Sequence, residues 1–502
     1  MIKTQVIYPA VKLFGFDAFG SFVNIYSKFD IDPPLAARFF NNTFLKIYEG
    51  SNKKPADYWD SIRPVPLQTG EIADYHKKDS LELAHQDPHY LDSMDRRRNK
   101  LRPIGLIVTG QSFSHEKKRE TFYINPLLKS VAYNTVEGWS GTIGGRYTKR
   151  LDTLTYSRRS IRIEPAVRYG FNNRHLNASG AFTYTAGQKY YTSFSVSGGK
   201  WIYQFNNANP ITQFSNTIRT WLFERNYAKF YEAWFGKIHY TKAVGAGLRL
   251  SGDLKYEDRI PLENTSWYSF GNRKLVEFTP NYPEEIMTEN FKRHQALVAS
   301  MGITWQPGTQ YIEYPDRIVN AGSRLPVFTF NYYQGLHNVL GSDVDFSKWR
   351  FDITDNLNLK LLGNFRYRVA AGGFFNTDSV AVIDYTHFNG NQILAAAEYL
   401  NGFQLLPYYK YSNKERWYAE AHVEHHFKGL LTNKIPLFRK LNWYLVTGAN
   451  AFYVNKDKKY LEVFGGLDNI FKILRIDLVF GFEEGLAAHR GLRLSFHRFG
   501  RY

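Results

Sequence analysis

The stretch "ILRIDLVFGF", residues 473–482, decides how the chain is read. Taken in steps of two, Leu474, Ile476, Leu478, Phe480 and Phe482 fall on one face, and Arg475 and Asp477 on the other. Period-two alternation is the pattern of a strand with one apolar and one polar face. The chain closes the same way in "GLRLSFHRFGRY" (491–502). Leu492, Leu494 and Phe496 oppose Arg493, Ser495 and His497, and the last residue is the aromatic Tyr502.

Upstream the pattern recurs. In "RSIRIEPAVRYGF" (159–171), Ile161, Ile163, Val167, Tyr169 and Phe171 oppose Arg162, Glu164 and Arg168. In "VGAGLRLSGDLKYE" (244–257), read as one strand, Val244, Ala246, Leu248, Leu250, Leu254 and Tyr256 oppose Arg249, Ser251, Asp253, Lys255 and Glu257. "NFRYRVAAGG" (364–373) adds Arg366 and Arg368, and similar strands are expected at 176–186, 296–305, 348–354, 416–427 and 441–454. A soluble sandwich also alternates, but it packs its apolar face on a second sheet. Here strand after strand sets charges of both signs against an apolar row, over the ~10 residues that a tilted membrane strand needs. No propeller-like repeat is present. The expectation is an all-β fold: an antiparallel transmembrane β-barrel over 120–502 with about 16 strands, in a range of roughly 14 to 18.

Composition agrees. Aromatics make up 17% of the 502 residues, with 36 Tyr and 39 Phe, a level that suits strands and membrane interfaces. No stretch approaches the ~18 apolar residues of a membrane helix. Mean hydropathy is −0.42, which a polar lumen explains. With no Cys, disulfides, thiolate metal sites and Cys nucleophiles are excluded. The net charge of +18 attracts anionic headgroups or nucleic acid. Neither a zinc-finger spacing nor a helix-turn-helix pattern accompanies it, so no nucleic-acid partner is expected.

Residues 1–119 read as an N-terminal periplasmic or plug-like segment with helices. The stripe Leu35, Phe39, Phe40, Phe44, Leu45 and Tyr48 has helical spacing. Residues 71–100 suit a solvated helix interrupted near Pro88, and "YWDSIRPVPL" (58–67) an extended stretch. The first residues lack the pattern of a signal peptide, so an exported chain implies sequence upstream of Met1. A barrel whose last strand ends at the periplasmic rim puts 483–490, 455–459, 258–293 and 377–414 in outer loops, and 467–471 in a periplasmic turn.

The motifs "YWDSIRPVPL" (58–67), "YNTVEGW" (133–139), "RNYAKFYE" (225–232), "YEDRIPLENT" (256–265), "DYTHFNGN" (384–391), "FQLLPYYKYS" (403–412) and "HVEHHFKGLLTNKIPLFRKL" (422–441), in this order, resemble outer-membrane barrel proteins of Bacteroidetes-type bacteria that carry a domain of unknown function. The resemblance covers roughly 55–502. In that family a carboxypeptidase-regulatory-like domain usually precedes the barrel; it is not found here. "YNTVEGW" and "HFNGN" are distantly similar to the BamA/TamA-like superfamily, whose "VRGY"-type loop motif is absent.

Candidate sites follow from the facing. Arg162, Glu164, Arg168, Arg249, Asp253, Arg366, Arg368, Arg475, Asp477 and Arg493 are expected in a charged lumen, either a salt-bridged plug or a filter around a channel. Leu474, Ile476, Leu478, Phe480, Phe482 and Tyr502 are expected to face lipid. "EAHVEHH" (420–426) puts Glu420, His422, Glu424 and His426 on one face. Imidazole and carboxylate can ligate a divalent ion, but a linear row needs help from another strand, and the expected reading is a hydrated lumen face with no metal. Ser495 and His497 share a face without an acid to orient them. No catalytic residue and no cofactor is assigned. The expected function is a non-enzymatic barrel of the bacterial outer membrane, in transport or in assembly of envelope components. Its expected partners are outer-membrane lipid, lipopolysaccharide and other envelope proteins. The alternatives are a passive porin-like channel and an outer-membrane hydrolase.

Overall fold

Alternating sequences with turn residues between them pair as antiparallel hairpins, and the computed structural model assembles them into one sheet. It describes residues 3–7, 10–13, 16–19, 22–26, 30–34, 41–51, 54–63, 65–152, 159–187, 190–245, 247–270, 274–275, 277–315, 317–483 and 486–496. The main sheet has 18 segments wound into a barrel. They are β1 (Gln111–His115), β2 (Glu120–Ile124), β3 (Val131–Asn134), β4 (Gly138–Arg150), β5 (Ser160–Gly170), β6 (Leu176–Ala186), β7 (Thr192–Gln204), β8 (Phe230–Gly245), β9 (Leu248–Pro261), β10 (His294–Trp305), β11 (Val327–Gly335), β12 (Asp345–Asn358), β13 (Asn364–Ser379), β14 (Tyr418–His426), β15 (Tyr444–Tyr453), β16 (Lys459–Ile470), β17 (Leu474–Glu483) and β18 (Leu486–Phe496). From β4 to β18 each strand pairs antiparallel with the next. The short β2 and β3 share the other side of β4, and β1 pairs with β2.

The two faces of the wall differ as the alternation requires. On β17, Leu478 is 46% exposed while Asp477, its neighbour in sequence, is 0% exposed. Ile143, Val167, Phe194, Ile238 and Leu254 are likewise exposed on their strands. An apolar band carried by strand after strand, with no second layer over it, is the surface a barrel offers to lipid. Among the described residues no helix is long and apolar enough to cross a membrane.

Several boundaries differ from expectation. The sheet starts at Gln111 rather than near 120, because the β1–β2 hairpin adds to β4. Residues 244–257 are not one strand: β8 ends at Gly245 and β9, antiparallel to it, begins at Leu248. Gly247, at φ +77°, supplies the left-handed position. Val244 and Leu248 keep the same parity across the break, which is why the alternation reads through it. Residues 483–490 are mostly strand rather than loop, and β16 runs on to Ile470, so the expected turn at 467–471 falls at 471–473. Residues 35–40 lie outside the described residues, but the expected helix over 33–49 is contradicted at Thr43–Lys46. That strand pairs in parallel with Gln310–Glu313, a distant partner that helical spacing cannot reveal. Residues 58–67 are not wholly extended, since a helix covers Ala56–Ile62. The charged region does form helices, Thr69–Gln86 and Pro88–Arg98, broken at Asp87, whose carboxylate accepts from His89 N at 2.8 Å.

Strand direction sorts the connections. The chain leaves β5, β7, β9, β11, β13 and β15 at one end of the wall, and β4, β6, β8, β10, β12, β14 and β16 at the other. The second end also carries two long connections, so the asymmetry is weaker than the barrel rule suggests.

Candidate functional site: a segment held inside the barrel

Residues 380–417 join β13 to β14, and they contradict the expectation that 377–414 is an outer loop. The segment carries Val382, Ile383, Phe388, Tyr399, Leu400, Phe403, Leu406, Tyr408, Tyr409 and Tyr411. So much apolar surface is costly in water, and all ten side chains are buried. Apart from a single 3-10 turn at Val382–Asp384, it has no regular structure. An irregular backbone can be buried only if its polar groups find partners. Here the amide side chains supply them. Asn389 donates to Asn401 O (2.9 Å) and Asn391 to Ala395 O (2.8 Å); Gln404 accepts from Ala397 N (2.9 Å) and donates to Ala397 O (3.1 Å).

The wall grips this segment through inward-facing side chains. Arg259 of β9 donates to both oxygens of Asp384 (2.5 and 2.9 Å) and to Glu257 (3.1 and 3.0 Å). Lys348 of β12 donates to Asp384 O at 2.8 Å. Glu462 of β16 accepts from Gln404 N (2.6 Å), Leu405 N (3.1 Å), Asn450 (2.7 Å) and Tyr460 (3.3 Å). Arg493 of β18 donates to Gln404 O at 2.7 Å, Arg368 of β13 donates to Asn401, and Tyr399 donates to Asp477 of β17. Phe388 stacks on Phe452 of β15, ring centroids 4.1 Å apart, and Phe403 packs against Phe452 and His422 at 5.4 and 4.9 Å. The segment also meets backbone: Ala396 N donates to Leu494 O (2.8 Å) and Leu494 N to Leu394 O (2.9 Å), a parallel bridge on the edge of β18 that faces away from β17.

Electrostatics follows from burial. Desolvation alone raises the Asp384 carboxyl, but the Arg259 guanidinium outweighs it and holds the group below the usual carboxylate range. Burial pushes the His387 imidazole down to about 4, so it is neutral near pH 7; its Nδ1 lies 2.8 Å from Ser412 Oγ.

The residues expected in the lumen fall into three groups. Arg475, Asp477 and Glu424 form one buried cluster: Arg475 donates to Asp477 at 2.8 Å and to Glu424, which also pairs with Arg366 at 3.0 Å. Arg368 pairs with Asp352 at 2.7 Å, and Arg493 serves the inserted segment. Further round, Arg168 forms a fork with Glu137 (2.7 and 2.5 Å), Glu164 pairs with Arg146 (2.6 Å), and Asp253 with Lys237 (2.6 Å) and His239 (2.9 Å). Arg162 and Arg249 share the inner face but stay exposed, near the end away from residues 380–417.

Glu420, His422, Glu424 and His426 are wired along β14 and outward to arginines. Glu420 pairs with Arg350 (2.8 Å) and His422 (2.9 Å), Glu424 with His426 (3.1 Å), and His422 Nδ1 lies 2.9 Å from Asn450 Oδ1. The arginines occupy the oxygens a metal would need, and among the described residues no three His, Asp or Glu are grouped to hold an ion. On β17, Leu474, Ile476 and Phe482 are half-buried and Phe480 is exposed. Ser495 faces inward opposite Arg475; His497 and Tyr502 lie outside the described residues. Sequence reasoning missed Asp384, Tyr399, Gln404 and Glu462. The available signal was the density of aromatics and Asn over 384–413, too apolar for a solvated loop.

Residues 105–467 match the C-terminal domain of a family of unknown function (DUF5686). Among solved structures, CdiB from Acinetobacter baumannii is similar at 13% identity and TM-score 0.35, over 75% of this chain and 59% of that one. The chain therefore spans about three fifths of that protein's length. BamA from Haemophilus ducreyi lacking POTRA domains 1–3 is similar at 10% identity and TM-score 0.41, over 99% of this chain and 89% of that one. No curated protein matches.

Proposed function

The chain belongs to the family of unknown function DUF5686, through its C-terminal domain, and from that premise and the segment held in the lumen we propose that it is a non-enzymatic barrel of the bacterial outer membrane acting in transport or in assembly of envelope components. Its apolar belt meets outer-membrane lipid and lipopolysaccharide, and other envelope proteins are its working partners. The observation that carries this reading is the insertion of residues 380–417 among the inward charges of β9, β12, β13, β16, β17 and β18. A passive porin needs a water-filled path, and residues 380–417 occupy part of this interior. The arrangement suits a barrel whose interior opens only when a partner or cargo displaces the segment. A hydrolase is the weaker reading, since Ser495 faces Arg475 across the ladder.

Bilayer conductance tests the proposal. The intact protein is expected to stay almost silent, and a variant with 386–413 replaced by a short Gly-Ser linker to give stable steps. Steady conductance from the intact protein favours the porin. Ester or peptide cleavage that tracks with Ser495→Ala favours the hydrolase.

A further inference from the structure

A cleft on the inner face of β1, β2 and β4 is lined by Ser112, Arg119, Thr121, Tyr123, Arg146, Thr148 and Arg150, and encloses about 360 Å³. We propose that it binds a phosphate group, free or carried on a lipid or glycolipid headgroup. The ladders fix its composition. Ser112 lies opposite Tyr123, Tyr123 opposite Arg146, and Thr121 opposite Thr148, so these side chains share one face. Arg162 of β5 lies directly across from Thr148 on the same face. The cleft sits at the end of the barrel where β4 stops and β5 starts, away from residues 380–417.

Charge balance points to an anion. Five arginines, 98, 119, 146, 150 and 162, meet three carboxylates, of which Asp95 accepts from Glu116 N at 2.9 Å. Glu116 is shared between Arg98 (3.2 Å) and Arg150 (3.1 Å), and Glu164 takes Arg146 (2.6 Å). Arg119 and Arg162 form no ion pair among the described residues. Glu120 is turned to the opposite face, where it pairs with Lys149 at 2.9 Å. Surplus guanidinium groups that approach from separate strands match a tetrahedral oxyanion, whose several acceptor oxygens take forked N–H donors from more than one direction. Hydroxyls of Ser112, Thr121 and Thr148 supply further donors around it. Elsewhere on the inner wall Arg168, Arg366, Arg368 and Arg475 pair with carboxylates, whereas Arg493 donates to backbone carbonyls and Arg249, among the described residues, stands alone rather than in a cluster.

Titration calorimetry on the full chain in a zwitterionic detergent tests the proposal. One arm uses inorganic phosphate, and the other mixed micelles containing a phosphatidic acid, at equal ionic strength. Saturable binding at one site is expected in at least one arm. The double variant Arg119→Ala/Arg150→Ala should weaken it at least tenfold, and Arg249→Ala, an inner arginine elsewhere, should leave it unchanged. Binding in both arms identifies the phosphate group itself as the ligand, and binding in the lipid arm alone identifies a headgroup. Heat-modifiable mobility on a gel verifies that the variants are folded. No saturable binding in either arm, equal binding by the double variant, or equal loss in Arg249→Ala overturns the proposal.

Discussion

Arg259→Ala is expected to destabilise the folded barrel by about 3–5 kcal/mol, the scale for removing one partner of a buried ion pair, and to release the inserted segment. Arg259 is fully buried and is the only guanidinium bonded to Asp384 among the described residues. Its loss also strips Glu257 of one of its two cationic partners, the other being Lys255 at 2.7 Å. Two buried carboxylates are then left short of positive charge, and the cheapest relief is for Asp384 to leave the lumen with its segment. Arg293→Ala is the matched control. That guanidinium pairs with Asp258 at 2.6 Å but is 64% exposed, where ion pairs contribute roughly 0–1 kcal/mol. The readouts are the denaturant midpoint in micelles and chymotrypsin cleavage at Phe388 and Phe403. Similar midpoints for the two variants, with both phenylalanines still protected, would sink the assignment.

The second large effect concerns the facing of β17. Leu478→Arg puts a charge on the exposed apolar band, where a mid-membrane Arg costs about 2–4 kcal/mol. Asp477→Asn keeps an acceptor for Arg475 and for Tyr399, and Arg475 keeps Glu424, so its cost is expected on the order of 1 kcal/mol. A register slip of one residue would exchange the two environments. The heat-modifiable fraction after folding into lipid should therefore fall much further for Leu478→Arg. Equal folding of the two variants, or a worse defect in Asp477→Asn, contradicts the facing.

The wall was legible in the sequence because each strand writes its own two faces into a period of two. Arg475 and Asp477 could be assigned to the inside from "ILRIDLVFGF" alone. What the pattern did not carry was anything set by distant contacts. Thr43–Lys46 is a strand because Gln310–Glu313 offers an edge. The break between β8 and β9 was hidden because the alternation passes through it unbroken. Residues 377–414 are expected outside because strand counting says only at which end a connection lies, never whether it folds back through the mouth. Asp384 and Tyr399 gain their meaning from Arg259 and Asp477, which stand 125 and 78 positions away in sequence.

Site-specific photo-cross-linking tests the central claim most directly. A photoreactive phenylalanine analogue at Phe403, whose ring packs on Phe452, His422 and Tyr460 at 5.4, 4.9 and 5.8 Å, is introduced into the barrel folded in its membrane. An internal segment predicts intramolecular cross-links from position 403 to peptides of β14, β15 and β16. The same analogue at Ile143, exposed on the outer face of β4, should yield none to those peptides. If position 403 captures only lipid, solvent or external protein, residues 380–417 are not inside the barrel and the account fails.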